Sequence, residues 1–340
     1  MKLTAVSFLK YTASLAVAFL LLWYVFKDIP LAEVMEDFKK VKYEWVILSL
    51  CFSLVSLYSR AARWNMMLKS IGYNPGPWRG MAALLTGYLA NLVIPRMGEV
   101  TRCGVLQKTN KIPLAQGFGT VIAERALDLL CLLFLLLLTL LLEFARLKLF
   151  FYEQFFAKFG GSGAFLTDRL HIVIPIVLLL LGLLFLVWYK REKLAKNALV
   201  LKIFNLFKAV KDGILSIRNV ENKPLYYFHT LNIWVNYFLM TWVVVFAIDE
   251  TSGLGPIAGL TILMVGGLGM SAPVQGGIGA FHILVSAALV LYGISDRGGI
   301  TFATVLHTSQ AMLFIFGGFI SLIIVSFLKT IPGSHEQKPQ

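Results

Sequence analysis

Apolar residues run along this chain in stretches too long for ordinary soluble helices. Residues 11–26, 45–59, 127–142, 171–189, 225–248 and 301–328 each reach or approach the ~20 residues of a bilayer crossing. Three further segments, 81–95, 254–272 and 276–292, are as apolar but short or rich in glycine. The pattern predicts an all-α fold, a polytopic transmembrane helical bundle, in which the short segments are broken or re-entrant helices.

Polar positions between these runs assign sides. Arg60, Arg63, Lys69 and Arg79 precede segment 81–95, and Arg96, Arg102, Lys108 and Lys111 follow it. Residues 190–223 carry a further run of lysines and arginines, from Lys190 to Lys223. Such basic stretches stay on the cytoplasmic side. Residues 27–44 instead mix Asp28, Glu33, Glu36, Asp37 and Glu44 with lysines and read as external. If both flanks of 81–95 are cytoplasmic, that segment enters and leaves on one side. Fifteen helical residues rise only about 22 Å, short of a ~30 Å hydrocarbon core. A half-helix turning near Pro95 is expected, and non-helical backbone at that depth needs protein or a wet cavity around it.

The segment ending at Pro95 has a weak echo: Pro95/Gly98 and Pro273/Gly276 share a Pro-x-x-Gly spacing, each after an apolar helix. Paired interrupted helices in two halves of a chain mark the site in many transporters. The expected organisation is one integral membrane domain over residues 1–330, with repeat-like halves at about 1–142 and 171–330 and a tail at 331–340. Residues 190–224 place apolar positions at helical spacing between lysines, which predicts an interfacial helix on the cytoplasmic side. The N-terminal run has no small-residue cleavage site and reads as a retained helix.

Composition agrees: of 340 residues 58% are hydrophobic and 14% charged. The net charge of +13 fits loops facing anionic lipid; no basic and aromatic interleaving suggests nucleic acid. Cys51, Cys103 and Cys131 lack metal-type spacing, and no cofactor or metal is expected.

Candidate chemistry falls into clusters. Asn91, Pro95, Arg96, Glu99 and Arg102 surround the first break. Glu99 stands three residues from both arginines, so on one helix it can orient both, and guanidinium groups suit bidentate phosphate recognition. Ordinary interfacial arginines are the alternative reading. Glu124, Arg125 and Asp128 open a wholly apolar helix, where charges are costly; they are an ion-pair staple to the Arg96/Arg102 region, a functional site, or both. Pro273, Gln275, Gly276, Gly277 and His282 surround the second break, where glycines allow turning, close packing or main-chain contact with a ligand. His307 and Gln310 share one face of the last span; an interhelical hydrogen bond is the simpler role for such a histidine. No nucleotide-binding loop, nucleophile elbow or His-Glu-x-x-His occurs.

The pieces "RAARWNMML" (60–68), "NLVIPRMGEVTR" (91–102), "ERALDLL" (124–130) and "APVQGGIGAF" (272–281) resemble the transmembrane-region family of lysylphosphatidylglycerol synthases over nearly the whole chain. The resemblance implies two re-entrant regions and the binding or movement of a phospholipid or other lipid-phosphate, in a bacterial cytoplasmic (inner) membrane with both termini cytoplasmic. The family often has glutamate where His282 stands and arginine near His307, a departure that bears on the substrate and any coupling ion. No aminoacyl-transferring domain follows, so synthesis of lysyl lipid by this polypeptide is not expected. The expected function is a lipid flippase binding the head group through Asn91, Pro95, Arg96, Glu99, Arg102, Glu124, Arg125, Asp128, Pro273, Gln275, Gly276, Gly277, His282, His307 and Gln310, with no catalytic residue. The alternatives are an intramembrane transferase or hydrolase acting on a lipid-linked substrate, or a non-transporting partner of a lipid-modifying enzyme. A homo-oligomer is compatible with each.

Overall fold

The computed structural model describes residues 20, 22–23, 31–94, 96–144, 217–272 and 274–328. Most of the expected first helix (11–26), the span at 171–189, nearly all of the 190–224 segment, the tail, Pro95 and Pro273 lie outside the described residues. Among those described, the chain is helical and has no strand.

The helices are α1 (Leu31–Lys40), α2 (Tyr43–Lys69), α3 (Pro77–Val93), α4 (Gly98–Asn110), α5 (Leu114–Leu142), α6 (Lys223–Trp242), α7 (Pro256–Ser271), α8 (Ala280–Val290) and α9 (Asp296–Phe327). Four stretches are long and apolar enough to cross a membrane: Tyr43–Lys69, Leu114–Leu142, Lys223–Ala247 and Asp296–Phe327. Local chemistry sets several starts. Pro77 and Pro256 open α3 and α7, where a missing N–H costs nothing. Asn222 accepts from the Leu225 amide at 3.0 Å to cap α6, and Ser295 does the same for α9 through Gly298 at 3.0 Å.

The two short apolar regions are helical hairpins. In the first, α3 ends at Val93, Ile94 is extended, Arg96 takes φ +66, and α4 begins at Gly98. The Asn91 carboxamide oxygen accepts from the Gly98 amide at 2.6 Å. Gly87 and Gly98 touch, and a Cβ on Gly87 would stand 2.7 Å from the Gly98 carbonyl oxygen. At the open end Arg79 donates to the Thr109 carbonyl at 3.2 Å, so both ends of the hairpin return to one side. In the second, α7 and α8 fold back around Gly269, whose added Cβ would meet Phe281 Cα at 2.7 Å; Tyr292 donates to Thr261 at 2.9 Å across the open end. The segments 254–272 and 276–292 are thus two arms of one hairpin.

Two boundaries differ from the hydropathy reading. The helix expected to stop at residue 59 continues to Lys69, and the one expected from 127 begins at Leu114. Arg60 and Arg63 are therefore interior residues of α2, not loop charges. Two hydrophobic cores lie toward opposite ends of α2. Val46, Ile262, Phe281, Val285, Phe302 and Leu306 belong to one; Trp64, Leu68, Leu84, Leu106, Ile112 and Val121 belong to the other. The exposed faces of α5 (Leu133, Phe134, Leu137, Leu141) and α9 (Phe316, Phe319, Ile320, Ile323) are apolar and suit hydrocarbon.

Candidate functional site

Glu124 is fully buried in the middle of α5. A lone carboxylate there is prohibitive, and the fold surrounds it with guanidinium groups. Its Oε1 accepts from Arg60 Nη2 at 2.6 Å and its Oε2 from Arg102 Nη1 at 3.0 Å; Arg63 Nη2 stands 3.8 Å away. One turn later, Asp128 accepts from Arg63 at 2.6 Å. Arg125, half exposed, meets Glu99 at 3.2 Å and Asp128 at 3.9 Å. Four guanidinium groups thus face three carboxylates, leaving one positive charge in excess inside the bundle.

The arginines are held by more than charge. Arg60 Nη1 donates to the hydroxyls of Tyr88 and Tyr237, tying α2 to α3 and α6. Arg102 lies over the Trp64 ring at 4.7 Å, and Trp64 donates its indole N–H to Thr120 at 2.9 Å. The ring is thereby fixed beneath the guanidinium, an arrangement worth about 0.5–2 kcal/mol. Arg102 is 2% exposed, yet its Nε and Nη2 have no hydrogen-bond partner among the described residues. These two nitrogens form one edge of the guanidinium fork, the edge that suits two oxygens of one anion. Arg102 borders a narrow cavity with Tyr88, Asn91, Glu99 and Arg125. Its volume of about 10 Å³ admits roughly one water, so this conformation is closed.

Arg96 departs from expectation. The helix starts at Gly98, so Arg96 lies outside it, in the turn, with positive φ and an exposed side chain. It cannot share a helix face with Glu99, which pairs with Arg125 instead. Asn91 serves the turn itself through Gly98.

The second group gathers around the other hairpin. Gly276 and Gly277 have φ +57 and +71, and Gln275 is buried. His307 Nε2 donates to the Gly276 carbonyl at 2.8 Å, an interhelical bond from α9 to the hairpin tip. The His282 and His307 rings stand 5.0 Å apart, and His282 Nδ1 is buried without a partner among the described residues. Gln310 accepts from Ser53 at 2.8 Å and donates to Ser49 at 3.2 Å. No group of three or more metal-ligating side chains occurs among the described residues.

A larger cavity of about 360 Å³ lies at the opposite end of α2, lined by Asp37, Lys40, Asp249, Glu250, Arg297 and Thr301 among others. It is removed from the arginine–carboxylate cluster. Its edge is built from pairs near the surface, Arg297–Asp37 at 2.7 Å and Lys42–Asp249 at 2.6 Å.

Sequence reasoning missed Arg60, Arg63, Tyr88 and Tyr237 as members of the cluster. A signal is present: Arg60 and Arg63 stand three apart, as a helix face requires, although the charge pattern alone assigns them to a loop.

The family model describing the lysylphosphatidylglycerol synthase TM region matches residues 11–318. The chain is also similar to the UPF0104 membrane protein MJ1595 of Methanocaldococcus jannaschii, 30% identical over 128 residues, which cover 37% of this chain and 38% of that protein. A UPF0104 membrane protein of Methanothermobacter thermautotrophicus is 26% identical over 112 residues, 32% of this chain and 33% of that one. The matched segments thus span less than two-fifths of these relatives. No solved structure matches.

Proposed function

The chain belongs to the lysylphosphatidylglycerol synthase transmembrane-region family, and from that premise we propose that it is a lipid transporter of flippase type that holds a lipid-phosphate head group at Arg102. The observation that carries this reading is the free edge of a buried guanidinium. Arg102 spends Nη1 on Glu124 and keeps Nε and Nη2 without partners beside a cavity. A buried charged donor left unmade costs at least ~1–3 kcal/mol, and a phosphate oxygen pair offsets it with bidentate geometry. The excess positive charge of the cluster favours an anion. Glu99 and Arg125 would flank the head group, and Arg125 would open the cavity by releasing Glu99. By the positive-inside rule, the cavity lies toward the cytoplasmic leaflet.

Binding fits better than catalysis. Glu124, the most buried carboxylate of the cluster, has both oxygens engaged by guanidinium groups, a poor arrangement for a general base. The test is lipid movement in proteoliposomes, followed by reduction of a fluorescent phospholipid from outside. Arg102→Ala is expected to slow movement at least tenfold, with Arg96→Ala slowing it less. Unchanged movement in Arg102→Ala overturns the assignment.

A further inference from the structure

One face of α2 carries Ser49, Ser53, Ser56, Arg60 and Arg63. At about 100° per residue these five fall within a stripe roughly 80° wide, and all are 5% exposed or less. From Ser49 to Arg63 the stripe rises about 21 Å, some two-thirds of a ~30 Å hydrocarbon core. Serine alone suits close packing of membrane helices; two buried arginines on the same stripe are far costlier than packing requires.

The closed structure uses only part of this polar surface. Ser49 donates to the Met240 carbonyl and Ser53 to Gln310. Ser56, 1% exposed, has no partner for its hydroxyl among the described residues, and Arg60 Nε and Arg63 Nε have none either. Three consecutive members of one stripe therefore keep buried polar atoms unmet, beside the unmet edge of Arg102.

Over the stripe, α6 holds Ser49 through the Met240 carbonyl and Arg60 through Tyr237; the rest of the cover comes from α9 and α3. Gly317 and Gly318 seat α9 tightly on Leu85 and Leu89 of α3, and Phe314 stacks on Tyr88 at 4.5 Å. Toward α2, the hydrogen bonds of α9 among the described residues are those of Gln310 to Ser49 and Ser53. Tyr88 closes the stripe at Arg60. The pair α3–α9 is thus held firmly together and clipped to the serines by one carboxamide.

We propose that the Ser49–Ser53–Ser56–Arg60–Arg63 face of α2 is the track along which the phosphate-bearing head group crosses the membrane, and that Gln310 is the clip that shuts it. This rests on the reading of Arg102 as the head-group site. Head-group oxygens replace Gln310 at Ser53, meet Ser56 next, and pass to or from the guanidinium groups below.

The test is cysteine accessibility in proteoliposomes of phosphatidylglycerol. In a background with Cys51, Cys103 and Cys131 replaced by alanine, Ser56→Cys changes one atom and keeps the volume close. A membrane-impermeant methanethiosulfonate is expected to label it, at least tenfold faster when Gln310→Ala is added, and more slowly with glycerol 3-phosphate present. A thiol that stays unlabelled even with Gln310→Ala overturns the track. In parallel, Ser56→Leu is expected to slow lipid movement at least tenfold while glycerol 3-phosphate still raises the protein's melting temperature through Arg102. Normal movement in Ser56→Leu with slowed movement in Arg102→Ala removes the track and keeps the site. Normal movement in Arg102→Ala removes the site itself.

Discussion

Leu92, at the tip of the first hairpin, lies against Gly276, at the tip of the second: a Cβ on Gly276 would stand 3.0 Å from Leu92 Cδ2. The two broken helices therefore meet where each changes direction. Gly276 holds φ +57 there, and His307 grips its carbonyl from α9.

Gly276→Ala is expected to destabilise the protein on two counts. The left-handed backbone costs a residue with Cβ about 1–2 kcal/mol, and Leu92 must yield. Thermal unfolding in detergent checks this. Leu92→Ala combined with Gly276→Ala should lose less than the two single losses added together, because one clash is relieved.

Glu124→Gln removes the charge that Arg60 and Arg102 share. Breaking a buried pair by deleting one partner costs about 3–5 kcal/mol, so the variant should express poorly and melt far lower. Asp37→Asn is the control. Its partner Arg297 is more than a third exposed, and such pairs are worth about 0–1 kcal/mol. Equal losses in the two variants would contradict the ranking.

Helical hairpins, long spans and the charges at Arg102, Glu124 and Asp128 were legible locally, because an apolar run that meets proline, glycine and arginine is a feature of a few consecutive residues. Arg60 and Arg63 were not. Their neutralising carboxylates stand more than sixty residues away in sequence, and a hydropathy run read alone ends where the first arginine appears. The same distance hid the exchange of partners at Glu99. Its nearest arginines by sequence are Arg96 and Arg102, but the backbone turn removes the first and Glu124 takes the second, leaving Arg125. The meeting of Leu92 with Gly276 is tertiary and left no local trace beyond the repeated Pro-x-x-Gly.

Alkaline pH should separate the surface pair from the rest. The Asp249 hydrogen bond raises the Lys42 ammonium above its ordinary value of about 10.5. A raised base contributes stability that is fully present below the unfolded value and is lost as pH climbs through the folded one. The difference in melting temperature between the natural protein and Asp249→Asn should be constant up to about pH 10 and shrink above it. A difference that grows with alkalinity would contradict the pairing.

Trp64 is expected to act on head-group binding through Arg102. The indole supports the guanidinium from below and is itself anchored to Thr120. Trp64→Phe keeps a ring but drops the anchor; Trp64→Leu drops both. A cation–π contact of about 0.5–2 kcal/mol corresponds to a factor of roughly 2–30 in affinity. Binding of glycerol 3-phosphate to the detergent-solubilised protein, measured by calorimetry, should weaken in the order natural protein, Phe, Leu. A ring that merely fills core space would lower the melting temperature in the same order and leave affinity unchanged. Affinity that falls with the ring while Arg102→Lys, which keeps a cation but loses the planar fork, falls at least as far would tie the effect to the guanidinium edge.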